Sequence, residues 1–288
     1  MTTAVIDGDL ICYRCAASAE NDEQDIALVR ASRLLSDIIS VTDASEIKLF
    51  LSGSRNFRYD LYPEYKANRK DMKRPKHLQP LREYLVVAWG AEVTDGYEAD
   101  DAIGMEMGEG KVCCSLDKDL LQIPGSHFNF VTQEFQEISE IEGYRNFYTQ
   151  LVLGDRADNV PGYDGKMRPK WPKFLGEIRE RLSGANTPED MYRVVQGLYE
   201  DQQALIRNGN LLYLWRKMDD SWQPQTAAVT MSEEKQETEL KSASMQTTQE
   251  GTTQSTERGT MQQKPDGFLT HGRWTDVLLG QKLPEGST

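Results

Sequence analysis

The sequence predicts an α/β protein, a mostly parallel central sheet flanked by helices, with a helical region after it and a low-complexity tail. Three observations predict this. Short buried-type apolar runs alternate with segments of helical spacing, the pattern of a sheet covered on both faces. Several of those apolar runs end directly in carboxylates. The composition changes abruptly near residue 222.

Ala4, Val5 and Ile6 read as the first buried strand. Ile26 to Ile39 carries apolar residues at helical spacing (Ile26, Val29, Leu34, Leu35, Ile38). Ile47 to Leu51 reads as a second strand and Leu78 to Trp89 as a helix. Lys111 to Leu116 reads as a third strand and Phe128 to Val131 as a short fourth. From about Thr149 the pattern turns helical. These features give an α/β domain over 1–148, a helical region over 149–222 and a tail over 223–288. Residues 223–267 contain no aromatic, and Ser232 to Gln263 holds a single large aliphatic, Leu240. Such a segment buries too little apolar surface to offset its ordering entropy, so it is expected to be disordered. A short apolar patch at Phe268, Leu269 and Trp274 to Leu279 reads as a weakly ordered end.

The chain has 288 residues and a net charge of −13. No apolar run reaches the ~18 residues of a membrane span, and no signal-peptide pattern opens the sequence, so a cytoplasmic protein with no membrane partner is expected. Cys12 and Cys15 form a C-x-x-C pair, but the other two cysteines, Cys113 and Cys114, are adjacent. A structural zinc site usually needs a second spaced pair, so reduced buried thiols are expected. His77, His127 and His271 stand apart, which disfavours zinc chemistry and a histidine base.

The carboxylates fall in four clusters: Asp7-Gly8-Asp9, Glu98-Ala99-Asp100-Asp101, Asp117-Lys118-Asp119 and Asp155 with Asp158. The first and third close buried strands, and ligands in parallel sheets gather at the carboxyl ends of strands. Glu98 and Asp101 are three apart, sharing a helix face. Asp117 and Asp119 are two apart, pointing alike in an extended segment. Each cluster alone also fits a helix cap or a turn. Together they repel one another in a cleft unless cations neutralise them. Hard oxygen donors select Mg²⁺ or Mn²⁺, and two such ions about 4 Å apart activate a water and stabilise a leaving oxygen at phosphorus.

Against the acidic whole stands a basic segment. Residues 55–76 hold eight Lys or Arg against three acids, with Phe57, Tyr59, Tyr62 and Tyr65 interleaved. A second basic group, Lys166, Arg168, Lys170 and Lys173, surrounds Trp171. Cations seat phosphates and aromatics stack on exposed bases, although a solvated charged loop has the same composition.

In order and spacing these motifs resemble the 5′→3′ exonuclease and flap endonuclease family, the phage type in particular, over roughly residues 4–215. They are Val5-Ile6-Asp7-Gly8, Phe57-Arg58, Tyr65-Lys66-Ala67-Asn68-Arg69, Glu98-Ala99-Asp100-Asp101, Asp117-Lys118-Asp119 and Gly154-Asp155 through Pro161-Gly162. The resemblance implies a PIN-like nuclease domain with an arch at about 55–77, then a helical DNA-binding region with a divergent helix-hairpin-helix. It implies that Asp7, Glu98, Asp100, Asp101, Asp117, Asp119, Asp155 and Asp158 hold two Mg²⁺ or Mn²⁺ ions, directly or through water. Lys66 and Arg69 would contact the scissile phosphate. Arg55, Arg58, Tyr65, Lys66, Arg69, Lys70, Lys73, Arg74, Lys166, Arg168 and Lys170 would bind DNA. Expected substrates are DNA with 5′ ends, gaps or flaps, and primer RNA, in phage replication or host DNA degradation in the host cytoplasm. A PIN-like endoribonuclease and a non-catalytic DNA-binding module are the alternatives.

Two departures stand out. The family often has an acid at the end of its second strand, where this chain reads Leu51-Ser52-Gly53-Ser54. The glycine-rich run expected after Pro161-Gly162 is replaced by Tyr163-Asp164-Gly165-Lys166-Met167-Arg168-Pro169-Lys170. Asp9 has no counterpart and reads as a local turn or cap residue.

Overall fold

A computed structural model describes residues 1–224; the expectations for the tail beyond them, including the patch at 268–279, lie outside the described residues. Strands β1 (Thr2–Asp7), β2 (Ala44–Leu51), β3 (Glu92–Val93), β4 (Lys111–Cys114), β5 (Gly125–Asn129) and β6 (Glu134–Ile138) form a six-stranded sheet in the order β3-β2-β1-β4-β5-β6. All neighbours pair parallel except β5 and β6, an antiparallel hairpin. The helices are α1 (Gly8–Ser18), α2 (Gln24–Thr42), α3 (Phe57–Leu61), α4 (Leu78–Trp89), α5 (Ala99–Glu106), α6 (Glu140–Leu153), α7 (Gly176–Gly184), α8 (Pro188–Gln196) and α9 (Gln202–Leu212).

β1 shows why the sheet is covered twice. Ala4 and Ile6 pack with Ile11, Ala27, Leu35, Leu81 and Leu85 of α1, α2 and α4. Val5 points the other way, toward Ala102 and Ile103 of α5. Alternate residues of a strand face opposite sides, so one run feeds two apolar layers. A third apolar cluster gathers α6 to α9 and takes in Tyr65 from the basic segment.

Several boundaries differ from the sequence reading. α1 was not expected; it starts at once after β1, with Asp7 as its N-cap accepting from the Leu10 amide at 3.0 Å. A Cβ at Gly8 would meet the Phe50 carbonyl oxygen at 2.5 Å, so only glycine lets β1 turn into α1 beside β2. In α2 the buried face is Ala27, Ala31, Leu35 and Ile38, whereas Ile26 and Val29 are exposed. Leu35 and Ile38 of the expected face are buried, but at the start of the helix the small Ala27 and Ala31 take the inner positions expected for Ile26 and Val29. The helix expected over 78–89 is α4, residue for residue. The strand expected over 128–131 is displaced to Gly125–Asn129, and β3 and β6 add two strands that the sequence reading lacked. Position 149 falls inside α6. Between α6 and α7 the backbone makes an Asp155–Val160 bridge and turns before a short 3-10 segment at Lys173–Leu175.

Candidate active site

The order of strands reverses direction between β1 and β4, which opens a crevice at their carboxyl ends. Asp7 closes β1, and Ser115 and Asp117 follow β4. The Asp7 carboxylate is 3% exposed; one oxygen is held by the Leu10 amide, the other by the Ser115 hydroxyl at 3.0 Å. Burial, with repulsion from Asp9 and Asp117, pushes its pKa up to about 7 against those two hydrogen bonds. Asp117 turns back to cap the next 3-10 turn, accepting from the Asp119 amide at 2.9 Å. Asp100, at the start of α5, is raised well above the carboxylate range by burial and by the charges of Asp7, Asp117 and Glu98. Among the described residues no donor hydrogen-bonds its carboxylate.

The neighbouring acids are in a different state. Glu98 accepts from Lys66 Nζ at 2.5 Å and from the Tyr65 hydroxyl at 2.8 Å. Burial pushes Glu98 up, but the Lys66 and Arg58 charges outweigh it and hold the group below its ordinary value. Asp158 accepts from the Tyr65 hydroxyl at 2.7 Å and from Arg69 at 2.6 Å, with Lys66 3.6 Å away. Asp155 takes the Ala157 and Asp158 amides on one oxygen and Lys118 Nζ, at 2.8 Å, on the other. Burial raises it and Lys118 more than compensates, leaving it low. Asp119 accepts from Lys118 at 2.6 Å and from Gln150, yet burial and the charges of Asp117 and Asp155 raise it to about 7. Glu98, Asp100, Asp119 and Asp158 line one narrow cleft with Tyr65. A larger hollow at Thr2, Gly110 and Gly125 lies at the opposite, amino ends of the strands.

Three expected assignments need correction. Asp101 is fully buried: both oxygens face the Arg58 guanidinium, at 2.5 and 2.8 Å, and they also accept the Glu98 and Trp215 amides. With its lone pairs spent on donors and no solvent access, it is not a metal ligand. Arg58 is 1% exposed and donates in addition to the Leu211 and Tyr213 carbonyls, at 2.8 and 2.9 Å. It is therefore an internal strut, not a DNA contact. Tyr65 is 2% exposed, its hydroxyl committed to Glu98 and Asp158, and is likewise unavailable for stacking on a base.

Of the other basic residues, Lys66 and Arg168 are half-buried and the rest are exposed. Lys66 adopts a left-handed backbone (φ 53°), a strained conformation for a lysine. Its amide donates to the Asp158 carbonyl at 2.9 Å, and Asn68 and Arg69 donate to the Arg156 and Ala157 carbonyls. The base of the basic segment is thus docked on the 155–160 loop. Lys70, Lys73 and Arg74 are exposed, Lys73 paired with Glu20. Arg55 is exposed and paired with Asp95. Lys166 and Lys170 are exposed, whereas Arg168 pairs with Asp164.

Five contributors carry no such role in the sequence reading. Lys118 bridges Asp119 and Asp155, and Ser115 orients Asp7. Asp9 and Arg82 form an ion pair at the end of β2, where Asp9 accepts from the Ser52 amide at 2.9 Å and Arg82 donates to the Ser52 carbonyl at 2.5 Å. The place where an acid was missing from β2 is therefore filled by Asp9 reaching across from α1, and is neutralised. The Ser52 hydroxyl in turn accepts from the Ala99 amide at 2.9 Å, tying the end of β2 to the start of α5.

Among the described residues no three His, Cys, Asp or Glu side chains are drawn together tightly enough to close on one metal ion. The donor set nevertheless suits a hard divalent cation. Asp7, Asp100 and Asp117 offer only carboxylate oxygens, and Asp100, half-buried, sits against like charges with no donor to its carboxylate among the described residues. Lys66 and Lys118 already occupy the oxygens of Glu98, Asp119 and Asp155.

Fold and site together define an α/β protein whose acid-lined crevice opens at the carboxyl edge of a parallel sheet, under a basic segment. Residues 2–149 match the family described as the 5'-3' exonuclease, N-terminal resolvase-like domain, and the chain belongs to that family. Its curated relatives include a 5'-3' exonuclease of Buchnera aphidicola subsp. Schizaphis graminum, 27% identical over 55% of this chain and 64% of the relative. A 5'-3' exonuclease of Buchnera aphidicola subsp. Acyrthosiphon pisum is 34% identical over 40% and 47%, so the chain spans less than two thirds of either. A Shewanella putrefaciens protein named flap endonuclease Xni is 27% identical over 56% of this chain and 69% of its own length. Two bacteriophage T5 structures share the fold. One, co-crystallised with metal ions, has a TM-score of 0.53 at 18% identity over 74% of this chain and 90% of its own. The other is a flap endonuclease complex with DNA and metal ions, with a TM-score of 0.55 at 16% identity over 74% and 89%. No described helix is long and apolar enough to cross a membrane.

Proposed function

We propose that this protein is a metal-dependent 5′ nuclease that hydrolyses phosphodiester bonds in DNA carrying 5′ ends, gaps or flaps. Primer RNA is a further substrate, and removal of nucleotides during phage replication or host DNA degradation is the role proposed for it. The observation that carries the reading is the un-neutralised acid set at the β1 and β4 edge, beside Lys66 and Arg69. Asp7, Asp100 and Asp117 would hold one Mg²⁺ or Mn²⁺ ion, and Asp119 with Asp155 a second; Glu98 and Asp158 orient Lys66, Arg69 and Tyr65 around them. The bound ions would lower the pKa of a water and neutralise charge on the leaving oxygen.

The chain's own residues do the rest. Lys66, held in a left-handed turn against Glu98 and Asp158, places an ammonium beside the cleft, where it would meet a phosphate oxygen. Arg69 supplies a planar donor pair beside it. Ser115 holds Asp7 in one rotamer with its hydroxyl, and Ser52 holds the start of α5, which carries Asp100. The exposed Lys70, Lys73 and Arg74, with Lys166 and Lys170, would seat flanking backbone phosphates, and a divergent helix-hairpin-helix within 149–222 would grip the duplex arm.

A 5′-labelled set of duplex, gapped and flapped DNAs, with matched RNA, tests the reading with and without Mg²⁺. Mg²⁺-dependent release of 5′ products from DNA is expected, and Asp117→Asn is expected to lower the rate about a thousandfold, several kcal/mol of barrier. Cleavage confined to RNA would indicate an endoribonuclease. Binding without cleavage in Mg²⁺ and Mn²⁺ would indicate a DNA-binding module.

A further inference from the structure

Lys118 lies between Asp117 and Asp119 in sequence and between Asp119 and Asp155 in space. Its ammonium is 2.6 Å from Asp119 Oδ1 and 2.8 Å from Asp155 Oδ2. Among the described residues it is the only cationic group in salt-bridge reach of either carboxylate. The Asp155 oxygen it takes is the one left over, because the other accepts the Ala157 and Asp158 amides at 2.6 and 3.0 Å. Asp155 is 4% exposed and Asp119 19%, whereas the Lys118 side chain is 68% exposed. A solvated lysine therefore reaches inward to cover one buried and one half-buried acid that have no other counter-charge among the described residues.

We propose that Lys118 is the resident counter-cation of the Asp119–Asp155 pair, and that a divalent ion takes these two carboxylates only by displacing it. The proposal rests on the metal-dependent reading above. The physical case is a competition for the same two oxygens. The ammonium carries one charge, and holding it costs the rotamer freedom of a long side chain, so a largely exposed pair is weak. A divalent ion brings two charges to the same oxygens and frees the lysine. The protein is then folded with its acids neutralised before metal arrives, and the affinity of this one position is lowered by the fraction of time the lysine holds it. Once released, the ammonium stays tethered at the rim, on the residue between Asp117 and Asp119.

Metal binding to the full chain separates this role from others. Free Mn²⁺ is titrated by electron paramagnetic resonance into the wild type, Lys118→Met and Lys118→Arg, all freed of metal with chelator and checked by circular dichroism. Lys118→Met is expected to bind one Mn²⁺ about three- to tenfold more tightly than the wild type, the range set by a weak exposed ion pair. Lys118→Arg, which keeps the charge, is expected to stay within about twofold of the wild type on the same scale. In chelator, Lys118→Met is expected to melt about 2–4 °C lower and to regain the loss on adding Mn²⁺. Unchanged Mn²⁺ affinity in Lys118→Met overturns the proposal, and so does weaker affinity, which would make the lysine an aid to the metal. If neither the wild type nor Lys118→Met binds Mn²⁺, the metal-dependent reading falls too; equal binding by both removes only the role of the lysine.

Discussion

Asp100 and Asp101 are neighbours in sequence and opposites in the folded chain. Asp101 is sealed in the interior and matched by a guanidinium and two backbone amides. Asp100, one residue earlier, faces Asp7, Asp117 and Glu98 with no donor among the described residues. The same contrast divides the whole site. Arg58, Lys66 and Arg69 neutralise the half formed by Glu98, Asp101 and Asp158. Among the described residues, the half formed by Asp7, Asp100 and Asp117 has no cation in ion-pair contact. The difference shows where the chain spends its own positive charge, to anchor the basic segment on α5 and the 155–160 loop, and where it leaves charge to be supplied from outside.

Breaking the neutralised half should have the largest effect. Arg58→Ala leaves the Asp101 carboxylate buried without its counter-charge and two carbonyls without the guanidinium donor, and is expected to destabilise the fold by about 3–5 kcal/mol in denaturant unfolding. The same substitution frees Phe57 from part of its setting, since that ring lies against the Arg58 guanidinium and stacks on Trp215 at 4.7 Å. A loss below about 1 kcal/mol, the worth of an exposed pair, would contradict the assignment of Arg58 as a strut.

Lys66→Ala comes next. Its expected outcome is a single-turnover cleavage rate about a hundredfold lower, the cost of losing one charge-stabilising donor, with duplex binding changed far less. An unchanged single-turnover rate would remove Lys66 from the chemistry and leave it a neutraliser of Glu98.

The smallest effect is a pH dependence of stability in chelator. Asp7 and Asp119 are raised to about 7, so between about pH 4 and pH 7 the folded state holds protons that the unfolded chain has lost. Stability from these groups is present below about pH 4 and declines as pH rises through that window. Glu98 and Asp155 are held low and act in the opposite sense, but only as pH falls below about 4.5. Saturating Mg²⁺ should flatten the decline, as seen by urea unfolding at a series of pH values.

The contrast between the two halves was not legible in the sequence. The acid motifs, their order and the strand ends that present Asp7 and Asp117 were, because a strand end fixes where a following carboxylate emerges. Glu98-Ala99-Asp100-Asp101 was read as one block of ligands. Yet Glu98 and Asp101 have capping-box spacing, and in the structure Asp101 bonds back to the Glu98 amide at the start of α5. That spacing was the available signal that Asp101 turns inward. Arg58 and Tyr65 were hidden by their neighbours: in a segment with eight basic residues nothing local distinguishes the one whose partner lies 43 positions away. The same holds for Asp9, whose partner Arg82 is 73 positions distant. β3 has two residues, both exposed, and β6 exposes Phe135, so neither carries the apolar alternation that marks a half-buried strand.

The central claim, that one half of the site is left for outside cations, is tested most directly by the stability of Asp100→Asn against the wild type in chelator and in saturating Mg²⁺. Removing a carboxyl whose ionisation three neighbouring acids oppose is expected to raise the melting temperature in chelator. Mg²⁺ should then stabilise the wild type and the variant less, closing or reversing the gap. An Asp100→Asn protein that melts below the wild type in chelator, with Mg²⁺ stabilising both equally, would contradict the account.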